Sequence, residues 1–200
     1  MDNRVCDMLG IEFPLFAFSH CRDVVVEVSK AGGFGVLGAA NLTPGELEIE
    51  LDWIDEHIDG MPYGVDLIIP NKYLGKDEQL SPQDVLAMLP DEHKKFADDI
   101  LDAHGVSADG VDDATRLDRM GFGNNISLDG AVAHLEVAFS HPIKLIANAL
   151  GVPPKPMLDM GREHGVAVAA LVGAKSHAIK QVLAGVDILV VAGTEAGGHC

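Results

Sequence analysis

Six apolar runs carry almost no polar alternation, and a glycine or proline turn and a helical pattern stand between most of them. They occupy residues 14–19, 34–38, 63–69, 143–149, 166–172 and 188–192. A strand half-exposed to water alternates apolar and polar residues; a strand covered on both faces does not. The runs therefore predict parallel strands, and parallel neighbours need crossover connections. Helical patterns over 23–30, 44–58, 131–139, 156–164 and 176–183 supply them, each making a right-handed strand–helix–strand unit. Two architectures satisfy this pattern: an open doubly wound sheet and a (β/α)8 barrel. Gly33-Phe34-Gly35 offers a Gly-x-Gly, but it opens a strand instead of following one. The dinucleotide fingerprint is absent where the open sheet needs it.

Local signals mark the helix ends. Thr43, Pro44 and Glu46 read as N-cap, first helical residue and capping-box partner. Gly32 and Gly33, Gly165 and Gly185 close helices with residues able to take positive φ. The rhythm fails over 71–128, which is acidic, contains several glycines and holds one clear helix, 91–104. That stretch reads as an insertion, either a lid or a solvated decoration.

Two features point to chemistry. The last apolar run leads into Ala196-Gly197-Gly198-His199, which places an ionisable side chain just past the carboxyl end of the sheet. Active groups of α/β proteins occupy that position. Asp66 interrupts the third run. A charge inside a buried strand costs several kcal/mol unless it is paired or hydrogen-bonded, so it needs a structural or functional reason.

Composition narrows the partners. A chain of 200 residues, 48% hydrophobic, has material for one core, and one domain is the expectation. Lys and Arg number 14 against 31 Asp and Glu, a formal charge of −17. That balance disfavours nucleic acid and anionic membranes, and it requires backbone donors for any anionic cofactor. No apolar run reaches membrane-spanning length, and Met1-Asp2-Asn3-Arg4 is unlike a signal peptide. Cys6, Cys21 and Cys200 are few, scattered and odd in number, which suits a reducing compartment. A cytoplasmic protein is expected. No His, Cys or Asp spacing suggests a metal, and residues 109–113 lack the calcium-loop pattern. His141, His164 and His177 fall near helix ends, where structural roles are commonest.

Four segments in order resemble the nitronate monooxygenase family, also called 2-nitropropane dioxygenases. Leu9-Gly10-Ile11-Glu12-Phe13-Pro14 is similar to that family's entry into strand one, and residues 29–38, Ser-Lys-Ala-Gly-Gly-Phe-Gly-Val-Leu-Gly, to its passage into strand two. Tyr63-Gly64-Val65-Asp66-Leu67 resembles the strand-three segment. Residues 193–199, ending in Ala-Gly-Gly-His, resemble the most specific motif of all. The resemblance implies a (β/α)8 barrel binding FMN, of which this chain looks like the amino-terminal portion: about six of eight units, with phosphate donors expected after strands seven and eight. It implies oxidation of alkyl nitronates by O2 to a carbonyl compound and nitrite. His199 is implied as the catalytic base or hydrogen-bonding group, the alternative being a surface histidine. Ala17, Phe18, Asp66, Ala170, Ala196, Gly197 and Gly198 are implied around the flavin. For Ala17 and Phe18 the alternative is ordinary core, and for Asp66 an ion pair, for example with Lys144.

Three departures bear on the substrate. Phe18-Ser19-His20 stands where the family commonly has Ala-Pro-Met, Asp66 replaces an amide, and Ala147-Asn148-Ala149 lacks an aromatic–histidine pair. His20 is either a second acid/base group or a filler of the methionine's place. Cys21 follows it without an evident activating base. The alternative functions are a flavin-dependent enoyl-thioester reductase and an inactive truncated barrel acting as a binding module. Strands one and six should present open edges, which invites a homodimer.

Overall fold

The computed structural model describes residues 3–69, 87–106 and 128–196. The chain divides into two compact units, one of residues 1–71 with 124–200 and one of residues 72–123.

The first unit is built on six parallel strands: β1 (Phe16–Ser19), β2 (Phe34–Gly38), β3 (Tyr63–Leu67), β4 (Leu145–Asn148), β5 (Ala167–Val172) and β6 (Ile188–Val191). Their spatial order is their chain order, β1-β2-β3-β4-β5-β6. A doubly wound sheet reverses direction at a switch point. This sheet never reverses, so it is the wall of a partial (β/α)8 barrel. The strands begin and end one or two residues inside several of the apolar runs, because a run of buried side chains extends past the ladder hydrogen bonds that define a strand.

The helices confirm that winding. Helices α2 (Arg22–Lys30), α3 (Pro44–His57), α5 (Leu128–Ser140) and α6 (Lys155–His164) pack on one face. Their buried residues, including Val25, Leu51, Leu135 and Met157, share a core with Leu37, Tyr63, Val65, Ile146 and Val168 of the strands. Side chains of a strand alternate faces, so the residues between these point to the barrel interior. Phe34, Val36, Leu145, Ala147 and Ala169 form that second core. Helix α7 (Lys175–Ala184) follows β5.

Local chemistry sets the helix ends. Thr43 accepts from the Glu46 amide while the Glu46 carboxylate accepts from the Thr43 amide, a complete capping box. Gly165 and Gly185 end α6 and α7 with φ of 66° and 95°. A short helix was not anticipated: α1 (Arg4–Leu9), capped by the Asn3 side chain on the Val5 amide and closed by Gly10 at φ 72°. Its Cys6 and Leu9 join the interior core with Phe34 and Leu145, the first residues of β2 and β4. α1 therefore plugs the amino-terminal end of the barrel, and Cys6 is a buried core residue.

Burial falls toward the sheet edges. β2, β3 and β4 are buried throughout. β1 and β6 are the edge strands, with Phe18 56% and Val191 73% exposed.

In the second unit, α4 (Asp91–Ala103) is the described helix. It carries Lys94–Asp91 and Lys95–Asp99 ion pairs on its surface. Among the described residues no helix is long and apolar enough to cross a membrane.

Candidate active site

The site is assembled at the carboxyl ends of β1 to β4. In register, Gly38 faces Asp66, Asp66 faces Ala147, and Ala147 faces Ala169. All four point to the interior by the alternation that sends Leu37, Val65, Ile146 and Val168 to the helices. Asp66 is thus flanked in register by the smallest residues available, Gly38 and Ala147.

Gly38 has a further reason to be glycine. A Cβ there would lie 2.5 Å from Phe18 Cζ and 2.8 Å from His20 Cε1 and Nδ1. Phe18 and His20 meet edge to face with centroids 5.1 Å apart and lean over that position. His20 Nδ1 lies 2.8 Å from the Gly38 carbonyl oxygen. A carbonyl only accepts, so Nδ1 carries the proton, and the neutral ring keeps its lone pair on Nε2.

Asp66 is 7% exposed and its Oδ1 has no hydrogen-bond partner among the described residues. Burial pushes its carboxyl up to about 7 from an ordinary value of 3.8. The ion pair with Lys144 weighed from the sequence does not form. The Lys144 amide donates to the Tyr63 carbonyl at the first residue of β3, so Lys144 sits at the amino end of the sheet and Asp66 near the carboxyl end. Buried polar atoms without partners are rare, and one set among small residues is a place where a ligand donor fits.

Asn148 organises the rim behind this floor, a role its sequence position did not reveal. It is fully buried at the end of β4. Its Oδ1 accepts from the Ile69 amide at 2.9 Å, and its Nδ2 donates to the Leu150 carbonyl at 3.0 Å. One side chain thus ties the loop after β3 to the loop after β4.

The site residues expected from the sequence separate into four groups. Phe18 and Asp66 come together across Gly38. Ala17 pairs with Gly35 and Ala170 with Asn148, so both side chains face the helices and away from the interior. Ala196 is exposed beyond β6, where its amide donates to the Gly193 carbonyl. Gly197, Gly198 and His199 lie outside the described residues. Cys21 is exposed, with Sγ 3.5 Å from the Asp23 carboxylate. A cleft of about 400 Å3 opens at the other end of the barrel, beside Leu9, Gly10, Pro62 and Tyr63. That amino-terminal face serves stability in such barrels, while chemistry belongs to the carboxyl face.

A Mycobacterium tuberculosis protein with a provisional monooxygenase name is 49% identical over 200 residues, covering 100% of this chain and 52% of the relative. A Staphylococcus saprophyticus protein with a provisional nitronate monooxygenase name is 23% identical over 203 residues, covering 100% of this chain and 51% of the relative. The chain spans about half the length of the curated relatives it matches. The structure of nitroalkane oxidase from Streptomyces ansochromogenes matches with a TM-score of 0.61 at 20% identity, covering 98% of this chain and 50% of that one. FabK from Thermotoga maritima matches with a TM-score of 0.63 at 21% identity, covering 100% and 46%. At such identities the likeness speaks for the fold. The family model for nitronate monooxygenase matches residues 3–200, and on that match across nearly its whole length the chain belongs to the nitronate monooxygenase family.

Proposed function

We propose that this chain contributes six β/α units to an FMN-dependent oxidoreductase that oxidises alkyl nitronates with O2 to a carbonyl compound and nitrite. The observation that carries the reading is Asp66, a buried carboxylate whose Oδ1 has no hydrogen-bond partner among the described residues, set between the small residues Gly38 and Ala147 and beside Phe18 and His20. The small residues suit a flat heterocycle, and Oδ1 suits one of its N–H groups or a ribityl hydroxyl. The residues present therefore fit FMN. When bound, FMN supplies the electron exchange and the reaction with O2.

The protein's part is binding, orientation and proton handling. Phe18 offers a half-exposed ring edge to the flavin plane. Ala17 and Ala170 contribute backbone groups, as do Ala196, Gly197 and Gly198, whose small size lets the chain approach closely. His199 holds the nitronate by a hydrogen bond, or, when the neutral nitroalkane arrives instead, takes the proton from the carbon beside its nitro group. His20, with Nδ1–H committed to the Gly38 carbonyl, presents Nε2 as a second proton acceptor at the same rim. The partners are a small nitronate and O2, in a cytoplasmic protein.

The test combines a spectrum with an assay. FMN added to the purified chain should produce a protein-bound flavin spectrum, and alkyl nitronate with O2 should then release nitrite. His199→Ala should retain the spectrum and lose nitrite release from the neutral nitroalkane by about 100-fold or more, the range of a lost general base. NAD(P)H oxidation driven by an enoyl thioester, without nitrite from nitronate, would replace this reading with the thioester reductase. A chain that stays colourless would replace it with a binding module.

A further inference from the structure

We infer that Glu48, Asp52 and His141 form a binding site for a divalent transition-metal ion of the Zn2+ class on the helical face of the barrel. This site is independent of the flavin reading and lies on the outer layer, where α3 packs against α5.

Glu48 and Asp52 stand one helical turn apart on α3 and present their carboxylates on one face. His141 follows α5 directly and comes to them only through the fold. One ligand atom from each lies within 4.8 Å of the others. Two exposed acids alone would mean little. The informative partner is His141, whose side chain is 6% exposed.

Its two ring nitrogens have different surroundings. Nδ1 is 2.7 Å from Asp55 Oδ2. A carboxylate only accepts, so Nδ1 is the donor, and in the neutral ring the lone pair is on Nε2. Nε2 is buried and has no hydrogen-bond partner among the described residues. Its neighbour is Glu48 Oε2 at 3.7 Å, too far for a hydrogen bond. It is close to the roughly 3.3–3.6 Å edge of a tetrahedron with metal–ligand bonds of about 2.0–2.2 Å.

Asp55 completes the arrangement. Its Oδ1 accepts from the Tyr63 hydroxyl at 2.7 Å while its Oδ2 holds His141. Burial, and then the bond to Asp55, keep that hydroxyl protonated well beyond its ordinary range, so Tyr63 is a fixed donor. A metal-binding histidine typically gives its second N–H to a carboxylate, which fixes the ring and strengthens the ligand nitrogen. One imidazole nitrogen with two carboxylates favours Zn2+ and its neighbours over Mg2+ and Ca2+, which prefer all-oxygen shells. The ion would pin α3 to the turn after α5.

The test is titration of the tag-free, chelator-stripped full chain with Zn2+ by calorimetry, with Mg2+ and Ca2+ as separate arms. One equivalent of Zn2+ should bind at least 100-fold more tightly than either. The unfolding temperature should rise with Zn2+, because an ion that binds only the folded chain stabilises it. The double variant Glu48→Gln, Asp52→Asn alters only exposed side chains and should fold, yet lose at least tenfold in Zn2+ affinity. Asp55→Asn removes the orienting carboxylate and should weaken binding by about 10–100-fold. No stoichiometric Zn2+ binding, undiminished binding by the double variant, or equal binding of Mg2+ would overturn the inference. The first of these would leave His141 as an ion-pair partner of Asp55 and Glu48.

Discussion

His20 Nδ1 lies 2.8 Å from the carbonyl oxygen of Gly38, the residue whose register partner is Asp66. The contact ties the segment after β1 to the end of β2 directly above the buried carboxylate. It also separates two glycines of one strand by what surrounds them. At Gly38 an added Cβ meets the tips of two exposed side chains, whereas at Gly35 it meets Val25 backbone atoms at 2.3, 2.7 and 2.8 Å.

That difference sets opposite outcomes for Gly35→Ala and Gly38→Ala. Side-chain tips can swing away, but the backbone of α2 cannot move without disturbing the core. Gly35→Ala should destabilise the chain by about 2–3 kcal/mol or more, and Gly38→Ala by less than about 1 kcal/mol. Gly38→Ala should instead weaken FMN binding, because Phe18 and His20 are displaced. Urea unfolding and a flavin titration of both variants check the contrast, and equal stability losses would refute it.

Asp66 should make stability depend on pH. Its folded-state value, about 7, lies above its ordinary value of 3.8. Between these values the folded chain keeps the proton and the unfolded chain has lost it, so stability falls as pH rises, by at most about 1.4 kcal/mol per pH unit. The penalty is absent below about pH 4 and complete above about pH 7, where it amounts to a few kcal/mol. Asp66→Asn should remove this slope. Unfolding free energies at pH 5 and pH 8 measure it, and parallel profiles for the two chains would contradict the assignment.

Asn148→Ala should cost about 2–3 kcal/mol, since it strands the buried Ile69 amide and the Leu150 carbonyl together. It should also loosen the rim, seen as faster amide exchange in the loops after β3 and β4. A loss below about 0.5 kcal/mol would show that water replaces the side chain there.

The edge strands should drive self-association. Val191 is 73% exposed on β6 and Leu183 82% exposed on α7, an apolar surface on an edge unpaired among the described residues. Light scattering should give a mass that rises with concentration, and Val191→Lys with Leu183→Lys should lower it. A concentration-independent monomer would contradict this.

The sequence was legible where the physics is local. Uninterrupted apolar runs, the capping box at Thr43 and the closing glycines Gly165 and Gly185 act over a few residues, and the elements lie close to their expected positions. α1 escaped notice because its six residues bury only Cys6 and Leu9, too few to show a period. Asp66 stood out because a charge interrupted an apolar strand. The side-chain directions of Ala17 and Ala170 did not, because they depend on which face of each strand meets the helices. Asn148 and His141 were opaque for another reason: their partners, such as Ile69 and Asp55, are 79 and 86 residues away in the chain.

The most direct test of the central claim is the affinity of the chain for FMN as a function of pH, with and without the Asp66 carboxylate. If Oδ1 accepts from the flavin, affinity should strengthen as the carboxyl ionises through about pH 7, and Asp66→Asn should flatten the profile and bind about tenfold or more weakly at pH 8. Equal affinities for the two chains across that range would contradict the account.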